Sequence, residues 1–373
     1  MVIIDTKLSL KLSDYNGDGK KDILWRNYQT GENTMWLMNG TTIAAAGNLP
    51  GFSPSSSQGA DFGDFNGDGK SDLLWHNTDT GENTMWLMNG TTIVAAANLP
   101  GLALSWGDNA IGDFSGTGKT DILWRNTQTG ENTMWQIDGT NIAASTNLPS
   151  LDLSWHTVDV DDFNGDGKTD LLWRNFETGD NTIWQMDGGT ITKSTNLPSL
   201  SRDWNAQVTA DFNNDGKADI LWHNSQTGDN TMWLMDGTSI VASTNLPGLS
   251  KDWYLAAKGD YLSNGKTDLI WHNTTTGANT MWLMDGATVT TAADLPALDN
   301  NWLLSSQNDY NGDRKTDIFL HNAATGANTM WLMDGATVTA TSNLPGLSQS
   351  WLVTTAGTHP LLINSILYMT SVF

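Results

Sequence analysis

Asp162-Phe163-Asn164-Gly165-Asp166-Gly167-Lys168-Thr169-Asp170, followed at once by Leu171-Leu172-Trp173-Arg174-Asn175, is the stretch that the rest of the chain repeats. It sets oxygen-bearing side chains at positions 1, 3, 5 and 9 of a nine-residue loop, with glycine at position 6 for a sharp turn and the Lys168 carbonyl at position 7. A hard cation such as calcium takes roughly six to eight oxygen ligands, and a tight loop can supply most of them. The opening resembles an EF-hand, but that motif needs glutamate at position 12, where this loop has Trp173. An EF-hand is therefore excluded, and Asp170 is expected to close the site. The residues from Asp170 to Asn175 read as a short buried strand.

The loop recurs with first aspartates at Asp14, Asp64, Asp113, Asp162, Asp211, Asp260 and Asp309, an interval of 50 residues and then 49 five times. A fixed period of that size means a repeat architecture. It overrides the two or three domains that a 373-residue chain would otherwise suggest.

One unit, Trp155 to Pro198, shows the plan. An extended segment from Trp155 leads into the loop, and Leu171-Leu172-Trp173 follows as a second strand. Phe176-Glu177-Thr178-Gly179 is a turn, with glycine supplying positive φ. Asn181 to Met186 is a third strand, Asp187-Gly188 a hairpin turn, and Thr190-Ile191-Thr192 a polar, β-branched outer edge. Four short antiparallel strands per unit describe a propeller blade. The fold expected is all-β: a seven-bladed β-propeller over residues 1–341, with blades starting near 7, 57, 106, 155, 204, 253 and 302. Tryptophans of strand two (Trp25, Trp75, Trp124, Trp173, Trp222, Trp271, with Leu320 in the seventh copy) and of strand three (Trp36, Trp86, Trp135, Trp184, Trp233, Trp282, Trp331) are expected to wedge between blades. Kelch and WD repeats lack their diagnostic pairs here, and a helical solenoid fails for want of a 3.6-residue period.

The loops and the four-strand spacing resemble the FG-GAP/VCBS repeats of calcium-binding β-propellers, known from integrin α heads, a fungal lectin and many bacterial secreted proteins. The resemblance covers about residues 7 to 341, although the name-giving Phe-Gly and Gly-Ala-Pro elements are not reproduced. It implies a cation loop between strands one and two of each blade, all on one face, and an extracellular setting. No export leader is visible in Met1-Val2-Ile3-Ile4-Asp5.

Four copies carry the full ligand set: Asp14, Asn16, Asp18, Lys20 (carbonyl) and Asp22; Asp64, Asn66, Asp68, Lys70 and Asp72; Asp162, Asn164, Asp166, Lys168 and Asp170; Asp211, Asn213, Asp215, Lys217 and Asp219. The seventh keeps Asp309, Asn311, Asp313 and Asp317 but has Arg314 for the turn glycine, so a weakened site is expected. The third, with Ser115 and Thr117, and the sixth, with Leu262 and Asn264, are expected to be empty. Calcium is thus the expected cofactor, in a structural role.

Composition excludes other classes. Lys+Arg number 18 against 41 Asp+Glu, a formal charge of -23, so a phosphate backbone is a poor partner. There is no cysteine, hence no disulfide framework, and no apolar run long enough to span a membrane. No nucleophile–base set breaks the repeat, so no catalytic residue is proposed; a polysaccharide-active enzyme is the weakest of the readings.

The turns between strands two and three lie opposite the loops, and the inter-blade linkers reach the same face. Together they present Arg26, Asn27, His76, Asn77, Arg125, Arg174, His223 and His272 near Trp106, Trp155, Trp204, Trp253 and Trp302. Planar polar groups beside an aromatic ring suit sugars. Multivalent glycan or cell-surface recognition, lectin- or adhesin-like, is the expected function; a passive protein-interaction propeller is the alternative. The histidines share a repeat position with arginine, which points to hydrogen bonding and not to metal ligation. Lys7 to Ser13 is expected to supply the inner strand of blade 1, because chain continuity avoids closing the ring with a distant segment. Residues 342–373 then form an appendage, or else carry a ring-closing strand through Trp351.

Overall fold

A computed structural model describes residues 13–52 and 58–354. Seven sheets of four antiparallel strands form a ring, and no helix occurs among the described residues. Blade 4 is typical: inner strand Trp155–Asp161, second strand Asp170–Asn175, third strand Asn181–Asp187 and outer strand Thr190–Leu197.

Burial follows this order. The second strand of blade 4 is buried at every residue, which is why its sequence, Asp-Leu-Leu-Trp-Arg-Asn, shows no alternation: neighbouring blades cover both its faces. The outer strand is exposed along most of its length and ends on buried Leu197. One apolar cluster fills each junction between blades. At the junction of blades 4 and 5 it comprises Phe163, Leu172 and Ile183 from one side and Ile220, Trp222 and Trp233 from the other. All thirteen strand-two and strand-three tryptophans are buried, as the wedge role requires. Within a blade they meet edge-on or tilted, Trp25 and Trp36 at 5.0 Å and Trp173 and Trp184 at 5.1 Å between centroids.

The ring closes differently from the expectation. The inner strand of blade 1 is Trp351–Val353, paired antiparallel with Ile23–Asn27. Residues 7–12, expected in that slot, lie outside the described residues, as does everything after Thr354. The register, Asn27↔Trp351, Arg26↔Leu352 and Trp25↔Val353, repeats that of blade 4, Trp155↔Asn175, His156↔Arg174 and Thr157↔Trp173. Two energies explain the choice. Loop-closure entropy rises only by about 0.6 kcal/mol per doubling of length, so a distant strand is barely handicapped. The C-terminal strand also brings Trp351, which packs with Leu344 and Leu347 against Trp25, Trp36 and Phe319 at the seam, whereas Lys7 stands at the matching position of the N-terminal segment.

Candidate functional site

Each loop is folded by its own first aspartate. In blade 1, Asp14 Oδ1 accepts the N–H of Gly17 (2.7 Å) and Asp18 (3.2 Å), and Oδ2 accepts that of Gly19 (2.8 Å). Asn16 Oδ1 accepts Asp18 N–H and Asp18 Oδ1 accepts Lys20 N–H, both at 2.9 Å. Asp22, the ninth residue, is buried and bridges the loop to the third strand: its oxygens accept Tyr15 N–H and Met38 N–H, both at 2.9 Å. Burial pushes the carboxyls of Asp22, Asp72, Asp170, Asp219 and Asp317 up to about 7, the neighbouring loop acids adding to the rise.

The degenerate loops keep this frame. In loop 3, Asp113 accepts Thr117 and Gly118 N–H, and in loop 6, Asp260 accepts Leu262, Asn264 and Gly265 N–H. In loop 7, Arg314 takes the glycine conformation, φ 67°, and its N–H reaches Asp309 Oδ2 at 2.7 Å. That left-handed backbone costs a non-glycine residue roughly 1–2 kcal/mol. Positions 1 and 9 therefore serve folding, whatever stands at 3 and 5.

Backbone bonds also weld each loop to the next. The eighth residue donates to the first residue's carbonyl of the preceding loop, from Ser71 to Asp14 (2.8 Å) round to Lys21 to Asp309 (2.9 Å). A second row runs from the third-strand hairpin glycine to the preceding loop's second residue, as from Gly188 to Phe114 and from Gly40 to Tyr310 (both 2.7 Å).

Among the described residues no three carboxylate or imidazole side chains stand assembled as a metal cage. The donor chemistry nevertheless fits a hard cation. In the complete loops the side-chain donors are all oxygen, and the outer oxygen of the fifth-position aspartate takes no backbone N–H. Each carboxylate oxygen of Asp22 spends one lone pair on an N–H and keeps another. Asp14, Asn16, Asp18, the Lys20 carbonyl and Asp22 would hold the ion in blade 1, with their equivalents in blades 2, 4 and 5.

On the opposite face the structure separates residues that the sequence groups together. Arg26, Arg125, Arg174, His76, His223 and His272 are buried, and so is His321 in the seventh copy. Arg174 Nη1 donates to Asn181 Oδ1 (2.9 Å), and its Nη2 to Ser201 O in the linker (2.9 Å). His76 Nδ1 lies 2.7 Å from Asn83 Oδ1, a bond repeated by His223, His272 and His321. The same side chains cover the strand-two tryptophan of the next blade: Arg26 over Trp75, Arg125 over Trp173, Arg174 over Trp222, and His321 against Trp25 across the seam. Burial holds His76, His223 and His321 below the usual histidine range. The hydrogen-bonding role thus stands, but these groups face the blade junctions and not a ligand. Asn27 and Asn77 are also buried, each accepting two N–H groups of its own turn.

What remains on that face is the set of half-buried tryptophans that open the inner strands: Trp106, Trp155, Trp204, Trp253 and Trp302, together with Trp351 at the seam. Each packs one side on a junction cluster. The turns between the second and third strands carry an acid in blades 1 to 5, such as Glu32 and Asp180, which accept from Thr30 Oγ1 (2.8 Å) and Thr178 Oγ1 (2.7 Å), and carry Ala278 and Ala327 in blades 6 and 7. The sequence reading overlooked Leu104 and Leu153, two residues before Trp106 and Trp155, which are 61% and 49% exposed. The signal was their position, taken elsewhere by Arg202, Lys251, Asn300 and Gln349.

An FG-GAP-like repeat model matches residues 14–75, 64–124, 113–173, 162–222 and 211–271. The chain belongs to the FG-GAP-like repeat family. Comparison with characterised proteins by sequence found no match. Among solved structures, the chain is similar to an Agrocybe aegerita lectin, described for its specific recognition of non-reducing terminal N-acetylglucosamine, at 15% identity over 91% of each chain with a TM-score of 0.64. It is also similar to a protein from Lactobacillus plantarum, at 14% identity over 90% of this chain and 98% of that one, with a TM-score of 0.52. At these identities the likeness establishes the fold.

Proposed function

We propose that this chain is a calcium-stabilised extracellular binding propeller that holds glycans at the blade junctions of its turn face. The observation that carries the reading is the repeated half-buried tryptophan, one side anchored in a junction cluster, on the same face as the turns, which carry an acid in blades 1 to 5. An anchored ring offers a flat apolar surface to sugar C–H groups, and the acids accept from hydroxyls. Several equivalent sites gain avidity through effective concentration. The lectin of like fold supports sugar as the ligand class, and its printed ligand supplies the first probe. The family supports the extracellular assignment.

Calcium has the structural part. With the free ion about 100-fold above its dissociation constant, each site stabilises the fold by about 2.7 kcal/mol. The ion also offsets the acid crowding that adds to the burial-driven rise of the Asp22 and Asp170 carboxyls.

A glycan array read with and without calcium, with terminal N-acetylglucosamine as first probe, tests the reading. Binding that Trp204→Ala weakens without changing the circular dichroism is the expected result. No sugar bound at millimolar site concentration overturns it. One observation favours the second reading, a protein-binding face: the exposed pair Leu104 and Leu153. On that reading Leu104→Ser with Leu153→Ser abolishes attachment to a protein surface, and Trp204→Ala does not.

A further inference from the structure

The lysine at loop position 7 is not used alike around the ring. In blades 3 to 7 its ammonium pairs with the aspartate of the third-strand hairpin: Lys119 with Asp138 (2.6 Å), Lys168 with Asp187 (2.9 Å), Lys217 with Asp236 (2.6 Å), Lys266 with Asp285 (2.7 Å) and Lys315 with Asp334 (2.7 Å). In blades 1 and 2 the hairpin residue is Asn39 or Asn89. There Lys20 and Lys70 turn instead to their own loops, 4.0 Å from Asp18 and 3.7 Å from Asp68. Those are the fifth-position carboxylates. In loops 4 and 5 the same outer oxygen accepts only a neutral amide, Asn164 Nδ2 on Asp166 (3.3 Å) and Asn213 Nδ2 on Asp215 (3.1 Å). The lysine stem does not differ: Lys70 lies over Gly17 as Lys217 lies over Gly165. Only the charged end moves, and the hairpin residue sends it one way or the other.

We infer that the hairpin residue grades cation affinity around the ring, so that loops 4 and 5 form a tight class and loops 1 and 2 a weaker one in which Lys20 and Lys70 compete with the ion. The inference rests on the calcium reading above. An ammonium about 4 Å from a carboxylate in a watery setting is worth about a five- to tenfold change in dissociation constant. The weaker pair belongs to the blade closed by Trp351–Val353 and to the blade after it, and the tight pair lies across the ring from the first of these. As calcium falls, the side of the ring that contains the seam empties first.

Calorimetric titration of the full chain with calcium tests this, with terbium luminescence as a second readout. Expected from the four complete loops are two classes of two ions each, separated about five- to tenfold, apart from the weakened site of loop 7, the gap narrowing at high salt as screening weakens the lysine. Asn39→Asp with Asn89→Asp, which gives each ammonium its outside partner, should merge the classes. Lys20→Met with Lys70→Met, which keeps the stems over the glycines, should do the same. Four equivalent ions in the unaltered chain overturn the inference while leaving the calcium reading intact, and so does a weak class that neither double variant shifts. No ion bound by any loop overturns the calcium reading and the inference with it.

Discussion

Blades 1 and 4 carry the same residues at loop positions 1, 3, 5 and 9 and the same register but are built differently. Blade 4 is one unbroken stretch from Trp155 to Leu197, while blade 1 takes three strands from near the start of the chain and its inner strand from beyond residue 350. Both inner strands open on a tryptophan opposite an asparagine, Trp155 on Asn175 and Trp351 on Asn27. The residue before each accepts a turn N–H, from Phe176 to Ser154 O (2.8 Å) and from Tyr28 to Ser350 O (2.9 Å). A blade is thus defined by its anchor and its register, and connectivity is secondary.

The largest effect should come from removing that anchor. A chain ending at Ser342 lacks Trp351 to Val353, leaves the seam cluster open and exposes one edge of Ile23–Asn27. Its melting temperature should collapse, whereas full retention would break the equivalence of the two blades.

Next comes the buried ninth-position aspartate. Asp22→Ala strips acceptors from Tyr15 and Met38 N–H, and Asp170→Ala does so for Phe163 and Met186 N–H. Two buried donors left bare cost about 3–5 kcal/mol together. Urea unfolding should show similar losses at both sites. A much smaller loss in blade 1 would mean that the seam blade is looser than its bonding indicates.

The smallest effect separates the two blades by pH. Trp25 of blade 1 is covered by His321, and Trp173 of blade 4 by Arg125. Burial keeps the His321 imidazole below its ordinary range, so the fold holds it neutral. The unfolded chain, with an ordinary histidine near 6.5, takes up the proton first on acidification. This contribution is complete above about pH 6.5 and is lost as pH falls below it. His321→Arg puts at the seam the group that blades 1, 3 and 4 already use, and should flatten the fall in melting temperature between about pH 6.5 and 5. An unchanged slope would show that the seam tolerates the charged ring.

Much of this was legible in the chain. The period of the aspartate–glycine loops and the Asp-Leu-Leu-Trp strands fix the architecture, because a strand with both faces covered loses the apolar–polar alternation and shows an unbroken apolar centre such as Leu171-Leu172-Trp173. The seam was legible too, in the spacing of Trp351 from Thr358, but the cost of closing a long loop is smaller than intuition allows. The arginine and histidine positions were misplaced for a physical reason. In a strand buried on both faces a polar side chain has no solvent side, so its type does not report exposure. The usable signal was the asparagine seven residues on, Asn33 after Arg26, Asn83 after His76 and Asn181 after Arg174, which marks a bonded pair. The direction of each loop lysine depends on a hairpin residue 19 positions away, a coupling visible only once both are placed in space.

The two rows of backbone hydrogen bonds that join each loop to the next make the loop face a hoop. A load applied at any outer strand passes into circumferential tension, which every junction shares and none can shed alone. Opening one junction converts the hoop to a split ring, and the remaining junctions then bend where before they were stretched. The seam, where Trp351–Val353 is held to Ile23–Asn27 by strand pairing and not by chain continuity, is the place where such a ring splits. A module tethered by its rim would therefore fail abruptly and at one place, holding its shape under strain until then.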